Sequence, residues 1–323
     1  MMKNSKIYVI IEKKKKIEVT MKLYAPKYYE DFKCIADKCT HSCCIGWEID
    51  VDKEAMKKYS KLKNGYGREI KNSIESGEAP HFKLQEDGRC PHLSENGLCK
   101  IIINCGEEYL CDICREHPRF YNYTNYGYEV GIGMSCPEAC RIILNSDSYN
   151  DFEVIARGPG DIERIDYDSL IDREKIFTIL KNENLSYENK LNVIYSEYEI
   201  DLNFVDKASY LDCINNLEYL NNSHRALFSA FSLESKASEE KEKYLERALA
   251  YFVYRHCTEA VDYDEFKISL SFCLFCEKLL ASLISDKTEP DVCELARILS
   301  EEIEYNTDNV EKIKELFINY EVL

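Results

Sequence analysis

The sequence predicts a mainly α protein in two parts: an irregular, metal-stapled, cysteine-rich N-terminal domain with a few short strands, then an all-helical C-terminal domain. Three observations predict it. Eleven of the 16 cysteines fall between Cys34 and Cys140. Beyond residue 150 the cysteine grid gives way to charged segments of helical period. Between the two regions, Arg157-Gly158-Pro159-Gly160 reads as a turn. The expected boundaries are 1–20 for an N-terminal extension, 21–150 for the metal-cluster domain and 151–323 for the helical domain.

Residues 1–20, with an Ile7-to-Ile11 apolar run and a Lys13-to-Lys16 block, read as a loose extension or edge strand. The folded unit, and the true start codon with it, is expected near Met21. Over 52–62, Ala55, Met56, Tyr59 and Leu62 share one face of an amphipathic helix, which Gly65 and Gly67 are expected to end. A second helical stretch is expected over 106–117, and 128–136 reads as a strand entering the metal site. Further helices are expected at 173–181, 187–198, 210–220, 242–260, 263–285, 291–304 and 309–320. In the fifth of these, Phe266, Leu270, Cys273, Leu274 and Leu280 follow the helical period while Phe272, Phe275 and Leu279 add a second apolar side, as in a buried helix. Its Cys273-Leu-Phe-Cys276 pair lacks a preceding strand and reads as two small buried hydrophobes; Cys213, Cys257 and Cys293 are read the same way.

An apolar fraction of 45% is ordinary for a globular protein. No run approaches the roughly 20 apolar residues that span a bilayer, and no secretory signal is evident, so a cytoplasmic location is expected. In a reducing cytosol, metal binding outranks disulfides as the use of so many thiols. The net charge of -17 disfavours nucleic acid and anionic membrane as partners and favours basic surfaces. No GxGxxG after a strand, GxxxxGK[ST], GxSxG or HExxH motif is present.

Cys34, Cys39, Cys43 and Cys44 put several sulfurs on one loop, where they can converge on a metal without long-range folding. Cys90 and Cys99 close a compact glycine-containing loop, Cys111 and Cys114 lie at a helix end, and Cys136-Pro137 adds a third arm. Structural zinc prefers Cys and His at short paired spacings, whereas an iron–sulfur cluster takes four thiolates, often beside a proline. Thiols outnumber usable histidines, and Cys90 and Cys136 each precede proline, so the grid leans toward iron–sulfur with zinc as the alternative. His41, His92 and His117 form no clear ligand pair and read as hydrogen-bonding neighbours.

The runs Phe32-Lys-Cys34-x4-Cys39-Thr-His-Ser-Cys43-Cys44-Ile-Gly46-Trp47-Glu-Ile-Asp50, Cys90-Pro91-His-Leu, Cys114-Arg-Glu-His-Pro118-Arg119-Phe120-Tyr121 and Ser135-Cys136-Pro137-Glu138-Ala139 together resemble the flagellin lysine N-methylase family. The resemblance continues weakly through Tyr251-Phe-Val-Tyr-Arg255 and Ser300-Glu-Glu-Ile-Glu304-Tyr. The stretch from Cys90 to Cys114 is also similar to small zinc- or iron-chelating cysteine-cluster domains. The resemblance implies an enzyme that binds a [4Fe-4S] cluster and transfers a methyl group from S-adenosylmethionine to lysine ε-amines of flagellin. Carried over by position, the metal candidates are Cys34, Cys39, Cys43, Cys44, Cys90, Cys99, Cys114 and Cys136; Cys105, Cys111 and Cys140 match less clearly.

Neither usual donor site is present: there is no glycine-rich strand–turn–helix, and Cys39-x3-Cys43-Cys44 is not a CxxxCxxC triad. A donor pocket built around the cluster is therefore expected, with Trp47 packing on the cluster. Tyr121, Tyr123 and Tyr126 are the candidate groups for holding the target amine or taking its proton, although alternating tyrosines also suit a half-exposed strand. The competing reading is a non-enzymatic zinc or iron–sulfur module serving structure, metal handling or electron transfer.

Overall fold

The computed structural model describes residues 18–63, 65–124, 127–161, 167–229, 231–285 and 289–321. In chain order the first half holds β1 (Glu18–Pro26), α1 (Lys53–Lys61), α2 (Gly65–Asn72), β2 (Ile74–Glu75), β3 (His81–Phe82), α3 (Lys100–Cys105), α4 (Asp112–Glu116), β4 (Arg119–Thr124), β5 (Gly127–Ile132), α5 (Pro137–Asn145) and β6 (Phe152–Asp161). Helices follow: α6 (Ser169–Leu180), α7 (Tyr187–Glu197), α8 (Lys207–Asn215), α9 (Arg225–Phe228), α10 (Glu239–His256), α11 (Tyr263–Ile284), α12 (Glu289–Leu299), a π-helical turn (Ser300–Glu304) and α13 (Thr307–Glu321). The protein is mainly α, with short strands confined to two sheets.

The larger sheet has the order β4-β5-β1-β6, with β1 parallel to β5 and antiparallel to β6. The segment read as a turn, Arg157 to Gly160, instead lies in β6, with Pro159 opposite Thr20. Strand β6 is the sheet edge, where a proline costs no ladder hydrogen bond on the open side. The chain around residue 150, where composition changes, thus passes from α5 into a strand paired along β1. Residues 1–17 and Tyr126 lie outside the described residues.

Two hydrophobic cores form. The larger gathers Tyr28, Phe32, Ile132, Met134, α5 and the helices from α6 to α13. Helix α11 runs through it, and both of its apolar sides, including Phe272, Phe275 and Leu279, are buried. Cys273 and Cys276 are fully buried there, with Cys273 Sγ 3.7 Å from Cys257 Sγ. Sheet and helices are tied by a buried pair in which both guanidinium Nη groups of Arg173 reach Glu129, at 2.5 and 2.7 Å, while Thr258 accepts from Nη1 at 2.6 Å. Among the described residues, no helix is long and apolar enough to cross a membrane.

The smaller core has eleven buried residues, from Ile49 to Cys111, over α1 to α4. Asp52 organises it. One carboxylate oxygen caps α1 by accepting from Glu54 N at 3.0 Å and Ala55 N at 2.9 Å, and the other accepts from Asp112 N, opening α4, at 2.8 Å. Burial raises the Asp52 pKa, but these backbone donors outweigh it and leave the carboxyl below its ordinary value. Helix α1 ends at Lys61, before the two glycines expected to end it: Gly65 opens α2 and Gly67 lies within it.

Candidate metal centre and the cleft beside it

The cysteine loop carries no regular helix beyond a single 3₁₀ turn at Ala36–Lys38, so its path is set by contacts with neighbouring elements. Cys39 Sγ donates to the His41 carbonyl at 2.7 Å, and the field at Cys39 includes Cys34, Arg297 and Glu138. Cys43 interacts with Cys44, Cys34 and Cys136. Cys136, at the N-terminal end of α5, feels Cys39 and Cys34, and burial raises its pKa to about 11. Cys34, Cys39, Cys43 and Cys136 therefore form one neighbourhood, in which Cys34 and Cys43 are exposed.

Cys44, Cys90, Cys99 and Cys114 belong elsewhere. All pack in or against the smaller core, and Cys111 joins them, although its spacing matched the expected pattern less clearly. Cys43 and Cys44 stand at the joint. A hydrogen bond from Cys43 lowers the Cys44 pKa to about 7 despite burial. Cys140, by contrast, is fully buried in the larger core, where its Sγ meets the Cys293 carbonyl at 3.3 Å. Among the described residues, no three cysteine sulfurs lie mutually within 4.8 Å. Four thiolates on one tetrahedral zinc stand about 3.8 Å apart at Zn–S distances near 2.3 Å.

A cleft of about 270 Å³ opens beside the first set, lined by His41, Ile45, Gly46, Trp47, Leu220, Asn221, His224, Glu294, Arg297 and Glu301. One lining residue, Glu301, comes from the π-helical turn, a feature that recurs at functional sites. This turn aims three nearly buried carboxylates at three different partners. Glu301 meets Arg297 Nη1 at 2.8 Å and His41 Nε2 at 2.7 Å, the latter off the line of a hydrogen bond. Glu302 accepts from Leu220 N at 2.7 Å and Asn221 N at 3.1 Å and meets His224 Nδ1 at 2.7 Å. Glu304 meets His256 Nε2 at 2.8 Å.

Burial pushes the Glu301 pKa up, but His41 and Arg297 together more than offset it, so the carboxyl sits below its ordinary value and stays ionised. His224, Glu301 and Glu302 place ligand-type atoms within 4.8 Å of one another, yet the oxygens of Glu302 are already engaged by backbone N–H groups. That trio fastens the cleft wall.

Trp47 rises from the cysteine loop and meets the Tyr305 ring edge-on at 5.8 Å. The Arg255 guanidinium lies 4.5 Å from the Tyr305 centroid, and the Tyr305 hydroxyl donates to the Pro118 carbonyl at 3.3 Å. Gly133 makes this possible: a Cβ there would stand 2.0 Å from the Tyr305 hydroxyl oxygen. The segments around Arg255 and Glu301–Tyr305, far from the cysteines in sequence, thus close over the cysteine loop. Tyr121 lies elsewhere, donating to Glu116 at 2.9 Å, with burial first and that carboxylate second raising its pKa to about 12. Tyr123 packs edge-on against Tyr128 and lines a separate cleft of about 230 Å³ with Tyr167 and Glu259.

Fold and site together define a cysteine-cluster protein whose thiols adjoin an acidic, aromatic cleft. The chain belongs to the flagellin lysine N-methylase family. It is 32% identical over 130 residues to the flagellar biosynthetic protein FliU of Salmonella muenchen, covering 37% of this chain and 75% of that protein. The lysine-N-methylases of Salmonella choleraesuis and Salmonella typhimurium are likewise 32% identical over 130 residues, and this chain spans only 32% of the length of each. No family model matches the chain, and no solved structure matches it.

Proposed function

We propose that this protein is a cytoplasmic protein-lysine N-methyltransferase that moves a methyl group from S-adenosylmethionine to lysine ε-amines of flagellin, with a [4Fe-4S] cluster on Cys34, Cys39, Cys43 and Cys136. One observation carries this reading within the family: the cysteine loop and the ionised Glu301 open on the same cleft. The donor set fits the group. Four thiols in one neighbourhood are what such a cluster takes, and their sulfurs are not drawn together as around a single zinc ion. When bound through these four thiolates, the cluster would supply a fixed negative charge beside the cleft, which favours the sulfonium cation of the methyl donor.

The protein's own residues do the rest. Glu294 and Glu301 give the cleft two carboxylates that can draw in a lysine ammonium. The Trp47 ring stabilises a cationic nitrogen through its π face. A free ε-amine has a pKa of about 10.4, and desolvation against Ile45, Trp47 and Leu220 lowers it toward the pH of the cell. Glu301 accepts a hydrogen bond from the ammonium and gives its departing proton a first acceptor. The freed nitrogen lone pair then bonds to the methyl carbon as the sulfur–carbon bond of the donor breaks, leaving the donor as a neutral thioether. An overall charge of -17 suits a lysine-bearing protein partner.

The test is incubation of anaerobically purified protein with S-adenosylmethionine and unexported flagellin, followed by mass spectrometry of flagellin peptides. Methyl increments on lysine are expected. Their absence with metal-loaded protein overturns the reading in favour of a non-enzymatic module.

A further inference from the structure

The cleft of about 230 Å³ at the C-terminal end of β4 has the chemistry of a receptor for one basic side chain. Tyr123 and Tyr167 supply phenol rings, Asp168 and Glu259 supply carboxylates, and Leu170 and Val261 offer apolar contact to a methylene stem. No lysine, arginine or histidine lines it. Two buried hydroxyls of the lining are engaged by the protein itself: Ser169 donates to the Thr258 carbonyl, and Thr258 Oγ1 accepts from Arg173, whose guanidinium is matched by Glu129. Glu259 is held at the rim by Tyr123 N at 3.3 Å, and Asp168 by Leu170 N at 3.2 Å, where it caps α6. Pockets that enclose a whole small molecule usually measure roughly 300–1,000 Å³, so this cleft suits a single side chain better than a free cofactor.

Strand β4 links this cleft to the one beside the cysteine loop. Just before its start the Pro118 carbonyl accepts from the Tyr305 hydroxyl, and Tyr305 packs against Trp47 of the first cleft. At its end Tyr123 and Thr124 line the second cleft. The strand is an edge of the sheet, and Tyr121, between the two ends, is exposed. At about 3.4 Å per residue, Pro118 and Tyr123 stand roughly 17 Å apart, which an extended peptide covers in about five residues. The further step across Tyr305 to Trp47 brings the spacing between two guest side chains to about five to eight residues.

We propose that this second cleft is an exosite for the protein substrate, taking an arginine or lysine side chain that lies about five to eight residues from the lysine held beside Trp47. The inference rests on the functional reading above for the role of the first cleft. The guest cation meets the Asp168 and Glu259 carboxylates and the Tyr123 and Tyr167 rings, while its stem packs on Leu170 and Val261. A charge of -17 attracts any basic protein, whereas two linked clefts add a distance rule that general attraction lacks. The favoured lysine among many on a substrate is then one with a basic neighbour at that separation in an extended segment.

The experiment measures binding of fluorescein-labelled peptides to the anaerobically purified full-length protein by fluorescence anisotropy. One peptide carries a single lysine in a serine–glycine sequence, and the others add an arginine about two or about six residues from it, on either side. The arginine at about six residues is expected to tighten binding roughly fivefold more than the arginine at about two. That gain is expected to vanish in Glu259→Gln, which keeps an acceptor for Tyr123 N and removes the charge, and in Asp168→Asn, which keeps a capping side chain. Equal tightening at both spacings in wild type overturns the proposal, a comparison that does not depend on any variant folding. A gain that survives in both variants also overturns it. A spacing-dependent gain in protein that transfers no methyl group would refute the functional reading and leave the second cleft as a site for a basic side chain. Methyl transfer without the gain would do the reverse.

Discussion

His41 Nε2 stands 2.7 Å from Glu301 Oε1, so that the loop carrying Cys39, Cys43 and Cys44 is held against the π-helical turn of the C-terminal helices. The contact joins positions 260 residues apart through a close pair of polar groups, one of which also holds Arg297. It makes a single cleft out of two regions of very different composition, and most of the expected behaviour follows from it.

Substitution Glu301→Gln keeps the shape and removes the charge. Methyl transfer is expected to fall by about a hundredfold, in line with loss of a positioned proton acceptor. Iron and sulfide content is expected to stay at the wild-type level. Steady-state assays beside metal analysis check this, and undiminished transfer would remove Glu301 from the mechanism.

Trp47 lines the cleft and packs edge-on against Tyr305. Replacing it with alanine is expected to raise KM for lysine substrate by an amount matching about 1 kcal/mol of lost cation–π contact, roughly fivefold, and to perturb the visible absorbance of the bound cluster. Trp47→Phe is expected to recover much of the binding. An unchanged spectrum in Trp47→Ala would place the ring away from the metal.

Asp52 caps two helices with its two carboxylate oxygens. Asp52→Ala is expected to destabilise the cysteine-rich region by roughly 1–3 kcal/mol, two caps' worth, measurable as a lower urea midpoint and faster proteolysis across 53–116. Asp52→Asn is expected to lose less. A midpoint within error of wild type would show that α4 does not depend on this cap.

Acidification should weaken the C-terminal core. Burial lowers the His256 pKa against the pull of Glu304, and the Glu304 carboxyl lies below its ordinary value because Arg255 and His256 outweigh burial. Each group binds fewer protons folded than unfolded. Their stabilisation is therefore fully present above the unfolded histidine value of about 6.5, and it is lost as pH falls, first through His256 and then, below about 4.3, through Glu304. Urea midpoints at pH 7.5 and 5.5 for wild type and His256→Gln check the sign: the drop on acidification is expected to be larger in wild type. An equal or smaller drop would contradict it.

The helical half was largely legible in the sequence because amphipathic periodicity and capping are local properties. Helices α7 and α11 fall within a residue or so of their expected bounds. The stretch expected as one helix over 291–304 is instead an α-helix followed by a π-turn, since one extra residue per turn leaves almost no trace in a hydrophobic pattern. Strand β6 was hidden for a related reason: glycine and proline usually mark turns, and only the sheet order reveals that Pro159 sits on an edge. At the site, the cysteine grid and Trp47 announced themselves by residue type and spacing. Glu301 did not. A Glu-Glu-Ile-Glu run ordinarily reads as a solvated helix face, and only tertiary packing buries all three carboxylates beside Arg297, His224 and His256. The division of the thiols was also invisible, because Cys43 and Cys44 are neighbours in sequence but only Cys44 packs against the smaller core, while Cys43 is exposed.

The most direct test of the central claim is the number of methyl groups per flagellin lysine, by peptide mass spectrometry, after incubation with S-adenosylmethionine and either anaerobic metal-loaded protein or the same protein stripped of metal. Lysine methylation with the loaded protein and none with the stripped protein is the predicted result. Unmethylated flagellin in both, or equal methylation in both, would contradict a metal-dependent lysine methylase built on this cleft.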